Sequence, residues 1–272
     1  MSSSRNNSSP IGVFDSGIGG LTVAKAISEA LPNEQLFYFG DTAHLPYGDK
    51  SATAIQAYSI KICNVLLEQN CKAIVIACNS ASSAAYDLVK EYVGSKAIVL
   101  SVIDPVVEYV ANRYSNDKIG LIGTKQTVAS RAYDSKLAKA NPNLELSSLA
   151  TPLLAPMIEE GFFNNSISHQ IIEEYLSNAS LENIKALILA CTHYPLIKKE
   201  INAYYNNSIE VIDAPKVLSD ILSERLNDEG LLNTQERQKH TFFVSDFTES
   251  FKESTALFFG KEVNLKHYPL WD

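Results

Sequence analysis

Nowhere does this 272-residue chain run through the roughly 18 uninterrupted apolar residues that a bilayer helix needs. Its first residues, MSSSRNNSSP, also lack the basic segment and apolar run of an export signal. No membrane partner is expected, and the chain is read as cytoplasmic. Positive charge is short as well: 23 Lys and Arg stand against 31 Asp and Glu, a formal net charge of −8. That balance argues against a surface that grips phosphate backbones, so nucleic acid is not an expected partner. Glycine (12) and proline (10) are few, and hydrophobic residues make up 46% of the chain, so most of it should fold. The exception is the polar stretch 1–10, read as a disordered tail. Only four cysteines occur, Cys63, Cys71, Cys78 and Cys191. Without an export signal they read as thiols rather than disulfides.

What is present is a repetition. Residues 72–79 read KAIVIACN and residues 185–192 read KALILACT. Each of these is preceded, at a closely similar distance, by an Ile-Gly strand signal, IGVFDSG from Ile11 and IGLIGTK from Ile119. Apolar runs without period-2 alternation, the mark of strands covered on both faces, fall at 11–14, 35–39, 73–77, 97–101, 119–122, 187–190 and 209–212. Helical stripes lie between them, such as Leu21, Ala24, Ile27 and Leu31, and Ile55, Tyr58, Ile62 and Leu66. Strand and helix in alternation predict an α/β fold of two similar α/β domains with mainly parallel sheets, the active site lying in the crevice between them. The first domain is read over 11–100, the second over 101–213, with 214–272 rejoining the first.

Both Cys78 and Cys191 end a strand, where open parallel sheets bind ligands. Each precedes a helix signal: Ser80, Ser82 and Ser83 lead into AAYDLVKEYV, and Pro195 suits the first turn of a helix containing Leu196, Ile197 and Ile201. A helix N-terminus stabilises a thiolate, so both thiols are expected to have lowered pKa values. Four readings compete. A cysteine at a strand end is often simply core, the reading given to Cys63 and Cys71. A metal site from Cys191, His193 and Cys78 lacks a second close ligand pair, and no metal is expected. A single nucleophile, Cys191 with His193 as base, leaves the twin unexplained. A matched pair of acid/base groups on opposite faces of a substrate is what inverting a carbon stereocentre requires.

The glycine-rich DSGIGG (15–20), with Asp41 about twenty residues further on, imitates a dinucleotide fingerprint. Its glycines do not fall at G-x-G-x-x-G, and Asp15 would repel a pyrophosphate. The glycines are read as letting backbone amides approach a small anionic group such as a carboxylate. His44 and the Tyr47-Gly48 turn after Pro46 read as loop shape, and His169, His240 and His267 as surface residues. Trp271 packs either a terminus or a partner.

In order along the chain, DSGIGGLTV, FGDTAHLPYGDKS, IACNSASS, PMIEEGF and LACTHYPLI resemble the glutamate racemase family of the aspartate/glutamate racemase superfamily, over roughly 11–225. The resemblance implies two similar α/β domains enclosing glutamate, one catalytic cysteine from each, and no cofactor. Cys78 matches the thiol that exchanges a proton with D-glutamate and Cys191 the thiol that does so with L-glutamate. Asp15 and His193 match the groups beside them, and Glu159 or Glu160 a further acid, with Glu159 favoured. Substrate contacts carry over to Asp15, Ser16, Tyr47, Gly48, Asn79, Ser80, Thr192 and His193, and Thr124 and Thr127 match threonines on the substrate carboxylate. The implied role is supply of D-glutamate for peptidoglycan, and a homodimer is compatible with it. The chain departs from the family pattern at Ser80, where threonine is usual, at Thr151, where many members have cysteine, and in SVIDPVVEY (101–109), usually glycine-rich. Two other readings stay open: aspartate racemase, and a non-catalytic two-domain amino-acid-binding protein. Lys72 and Lys185 begin their strands, at the end away from the crevice, so no Schiff-base lysine is expected.

Overall fold

Strands covered on both sides need apolar residues in both pleat directions, and each of the unalternating runs is a strand in the computed structural model, which describes residues 6–236 and 238–271. The first part of the chain forms β1 (Ile11–Asp15), α1 (Leu21–Ala30), β2 (Leu36–Gly40), α2 (Ala52–Glu68), β3 (Ala73–Ile76), α3 (Asn79–Val93) and β4 (Ile98–Ser101). There follow α4 (Ile103–Arg113), β5 (Lys118–Gly123), α5 (Lys125–Ala129), α6 (Ala132–Ala140), β6 (Glu145–Ala150), α7 (Leu154–Glu159), α8 (Ser166–Leu176), β7 (Ala186–Ala190), α9 (Lys198–Tyr204) and β8 (Glu210–Ile212). The last part is α10 (Ala214–Asp228), β9 (Thr241–Val244), α11 (Glu249–Phe259) and β10 (Leu265–His267). No helix among the described residues is long and apolar enough to cross a membrane.

The strands make two parallel sheets, ordered β10-β9-β2-β1-β3-β4 and β6-β5-β7-β8. The repetition in the sequence is a repetition of topology. In the first sheet β1 lies between β2 and β3, and in the second β5 lies between β6 and β7. The two Ile-Gly strands are therefore interior strands, and the two Lys-Ala strands are their neighbours. Connections leave such a first strand in opposite directions, opening a crevice at its carboxyl end.

Alternate residues of each strand face different cores. Ile11 and Val13 of β1 share one apolar cluster with Leu21 and Ile27 of α1, with Leu218 and Leu222 of α10, and with Leu187 and Leu189 of β7. That cluster runs through both sheets. The outer face of the first sheet packs Phe14, Phe39 and Ile76 under Ile55, Ile62 and Val89 of α2 and α3. The outer face of the second packs Ile119, Leu121 and Ile188 under Val106, Val110 and Tyr133 of α4 and α6. Cys63 and Cys71 are buried in the outer core of the first sheet, and burial pushes both thiols up to about 12. Three strands are absent from the apolar runs. The strand β6 is ELSSLA at a sheet edge, only partly covered, while β9 and β10 are three or four residues long.

Residues 1–5 of the polar tail lie outside the described residues; residues 6–10 form a turn that ends in β1. The Asn7 carbonyl there accepts from Lys72 Nζ at 2.6 Å, and the Leu231 carbonyl accepts from the same ammonium at 2.8 Å. Lys72 is fully buried and ion-paired with buried Glu34 at 2.6 Å. Burial lowers its pKa, with Glu34 acting in the opposite direction. Lys185, its counterpart in the repeat, is exposed. Removing one member of a buried pair strands the other charge, at a cost of about 3–5 kcal/mol. Lys72→Met is expected to lower the unfolding free energy in urea by about 3 kcal/mol, and adding Glu34→Leu to recover most of the loss. No loss in the single variant would contradict a buried charge pair.

Candidate active site

One cavity of about 280 Å³ collects residues from the carboxyl ends of both sheets, close to the lower end of the roughly 300–1,000 Å³ of small-molecule sites. Cys78 and Cys191 both line it, with Ser16, Tyr47, Gly48, Asn79, Ser80, Thr124, Glu159, Thr192 and His193. Of the residues expected in the site, Asp15 and Thr127 are not in its wall. Asp15 is fully buried behind Ser16, and Thr127 stands behind Thr124, within 3.0 Å of its hydroxyl.

Cys78 follows β3 and is itself the N-cap of α3, its Sγ accepting the Ala81 amide at 3.4 Å and donating to Ser16 Oγ at 3.6 Å. The helix thus begins at Asn79, ahead of the serines. Its N-terminus does not lower the thiol pKa as expected. Burial, then the nearby Asp15 charge, push Cys78 up to about 12, against the smaller help of the Ala81 amide and Ser16. Burial and a neighbouring carboxylate both favour the neutral thiol. Cys191 contributes to the same rise, so the two sulfurs are electrostatic neighbours.

The second cysteine is built differently. Cys191 follows β7, but the chain then makes a 3₁₀ turn over Tyr194–Ile197 before α9. The helix expected from Pro195 therefore starts only at Lys198, so Cys191 does not cap an α-helix. Its partner is a side chain: Sγ lies 3.6 Å from His193 Nδ1, and His193 Nε2 lies 2.8 Å from Glu159 Oε1. Burial works against an imidazolium here, yet Cys191 and Glu159 outweigh it and push His193 up to about 10. Glu160 is exposed, so the EEG sequence sends its first acid into the site.

Asp15 is held by the turn that follows β1. Its Oδ2 accepts the Gly17 amide at 3.1 Å, while Oδ1 is buried with no hydrogen-bond partner, and burial raises its pKa. Two glycines of DSGIGG are needed for close packing within the site. A Cβ on Gly19 would stand 2.3 Å from the His193 ring, and one on Gly20 would stand 2.4 Å from Asp15 Cβ. They make room for side chains of the site itself. Thr22, at the start of α1, ties the same turn to the other half by donating to the Thr192 carbonyl at 2.9 Å. Asp41 carries no free carboxylate for a ribose, since Tyr47, Ser245 and Trp271 all donate to it.

Hydroxyl groups line the opposite side. Ser80 Oγ is 2.9 Å from Thr124 Oγ1, and the Asn79 side-chain oxygen accepts from Tyr133 at 2.8 Å. Ser80 thus supplies the hydroxyl expected of a threonine. Sequence reasoning missed Lys125 and Asp49 at the rim, paired at 3.4 Å, and Tyr194, whose hydroxyl lies 2.7 Å from that of Thr151. Each adjoins an expected residue in sequence, which was the available signal. Pro152 before α7, and Ala155 and Pro156 in its first turn, complete the apolar wall, and nothing in their spacing announced it. His240, read as surface, is half-buried, one ring nitrogen accepting the Leu36 amide at 3.1 Å.

Two like parallel sheets each present a thiol to one small cavity. The Asp/Glu/Hydantoin racemase family model matches residues 11–221. The chain belongs to this family, as an amino-acid racemase. A protein from Chlorobaculum parvum named glutamate racemase is 40% identical over 256 residues, 94% of each chain. The crystal structure of glutamate racemase from Francisella tularensis in complex with D-glutamate is 40% identical, with a TM-score of 0.91 over 97% of this chain and 99% of that one. The RacE1 isoform of glutamate racemase from Bacillus anthracis superposes with a TM-score of 0.92 at 32% identity, over 97% and 98%.

For a basic group a raised pKa stabilises the fold only while the group is protonated and charged. For His193 the contribution is fully present below the ordinary value of about 6.5 and is lost as pH rises through about 10. NMR titration of the His193 ring is expected to show no inflection between pH 6 and 9, whereas Glu159→Gln brings the inflection down towards that range. An inflection near 6.5 in the wild type would contradict the imidazolium assignment.

Proposed function

We propose that the chain interconverts L- and D-glutamate by moving the Cα proton between two thiols, one from each half, without a cofactor. The observation that carries this reading is the convergence of Cys78 and Cys191 on one small cavity from equivalent places in two like sheets. A binding protein has no use for that pair. The names of the relatives support glutamate over aspartate as substrate.

The Cα–H of an amino acid is a very weak acid, so a base removes it only where the developing carbanion is stabilised more than the ground state. The hydroxyls of Ser80 and Thr124 and the backbone amides near Ser16, Gly48, Asn79 and Thr192 are the donors for the substrate carboxylates. From L-glutamate, the Cys191 thiolate takes the Cα proton, with His193 beside it held cationic against Glu159. Cys78, kept protonated by burial and by Asp15, delivers its own proton to the opposite face and releases D-glutamate. The enzyme is left with a thiol at Cys191 and a thiolate at Cys78, ready for the reverse reaction or for exchange with solvent. The asymmetry of the two sulfur sites, one beside a carboxylate and one against an imidazolium, fits this division of labour.

Residues 11–100 with 214–272, and residues 101–213, act in this reading as two bodies that hold the substrate between them and exclude water. D-glutamate made in this way would serve as a precursor for peptidoglycan.

Chiral analysis after incubation with L-glutamate, and separately with L-aspartate, tests the substrate. D-glutamate is expected; turnover of aspartate alone would overturn the reading, and turnover of neither would favour a binding protein. Cys78→Ser and Cys191→Ser are each expected to lower racemisation about 100-fold or more, in line with loss of a general acid/base, with the fold intact by circular dichroism. Unchanged rates in both directions for either variant would defeat the two-thiol mechanism.

A further inference from the structure

Proton transfer makes no use of the most heavily hydrogen-bonded carboxylate near the cavity. Asp41, fully buried after β2, accepts from Tyr47 Oη at 2.6 Å, from Ser245 Oγ at 2.7 Å, and from Trp271 Nε1 at 2.7 Å, with His44 Nδ1 at 3.1 Å. A buried carboxylate is costly unless such donors surround it, so these elements are bound to one another through it. They come from far apart in the chain: the loop after β2, the end of β9, and the extreme C-terminal segment. The Trp271 ring is fixed as well, edge-on to His44 at 4.5 Å and to Tyr58 at 5.3 Å, with Lys61 Nζ 4.4 Å over its face.

One of the four donors belongs to the cavity. Tyr47 lines it, buried, with its phenol held protonated by burial and by the Asp41 charge. Gly48 follows and lies so close to Thr124 in the other half that an added Cβ would be 3.0 Å from Thr124 Cβ. The path therefore runs from the C-terminal indole through Asp41 to Tyr47 and Gly48, and on to the hydroxyl pair of Thr124 and Ser80.

We propose that Trp271, acting through Asp41, is a positioning residue that sets the Tyr47–Gly48 wall of the cavity and so the affinity for substrate. This rests on the glutamate reading above. None of these groups carries a proton to Cα, so their loss should act on binding and leave the chemical step alone.

Trp271→Phe keeps an aromatic ring and removes the N–H. It is expected to raise KM for glutamate roughly three- to tenfold, with kcat within about twofold and its pH dependence unchanged. Ser245→Ala, which removes a second hydroxyl or N–H donor to the same carboxylate oxygen, should give the same split. Trp271 is the sole tryptophan, so saturating D-glutamate should shift wild-type fluorescence emission, a readout that survives if a variant fails to fold. Unchanged KM in both variants, beside a wild type that racemises glutamate, overturns the proposal. If neither variant folds, wild-type emission that glutamate does not move overturns it. A wild type that does not racemise glutamate at all would instead overturn the function on which the proposal rests.

Discussion

The structure depends on where a parallel sheet puts its first strand. When that strand lies inside the sheet, the chain must leave it in both directions, and a gap opens above its carboxyl end. Both halves obey the constraint, β1 between β2 and β3, and β5 between β6 and β7. Each half therefore brings the carboxyl end of its third strand to the rim of such a gap, and in each half a cysteine stands within two residues of that end. A shared apolar core, running from β1 through α1 and α10 to β7, holds the halves so that the two gaps meet as one cavity.

Equivalence of backbone does not make equivalence of chemistry. Around Cys78 the chain supplies burial, a neighbouring carboxylate and one weak amide contact, so the sulfur keeps its proton. Around Cys191 it supplies His193, itself backed by Glu159 from α7. The glycines beside Asp15 are part of that difference, since Gly19 makes room for the His193 ring from the opposite half. Under the proposed transfer of a proton from one face of a carbon to the other, a donor on one side and an acceptor on the other is an advantage.

Much of this was legible in the sequence because it follows from periodicity and position. Unbroken apolar runs located the interior strands, and the duplicated Lys-Ala strand located both thiols. What stayed hidden depended on contacts that no local pattern records. The edge strand β6 is half polar because one side of it is open. The acidity of Cys78 was misjudged because a helix N-terminus was weighed without the burial and the Asp15 charge that outweigh it. The part Asp41 plays was not legible, since its partners Ser245 and Trp271 lie some two hundred residues away. The choice between Glu159 and Glu160 needed the position of His193, which only the fold supplies.

The central claim, that two different sulfurs give and take the proton, is tested most directly by isotope content in the first turnovers. Cα-protiated L-glutamate is incubated in deuterated water, the reaction is stopped early, and product and remaining substrate are separated and weighed by mass spectrometry. Two thiols predict D-glutamate carrying one solvent deuterium while the remaining L-glutamate still carries its proton. D-glutamate formed early with the original proton would mean that a single base returned what it took, and would contradict the account.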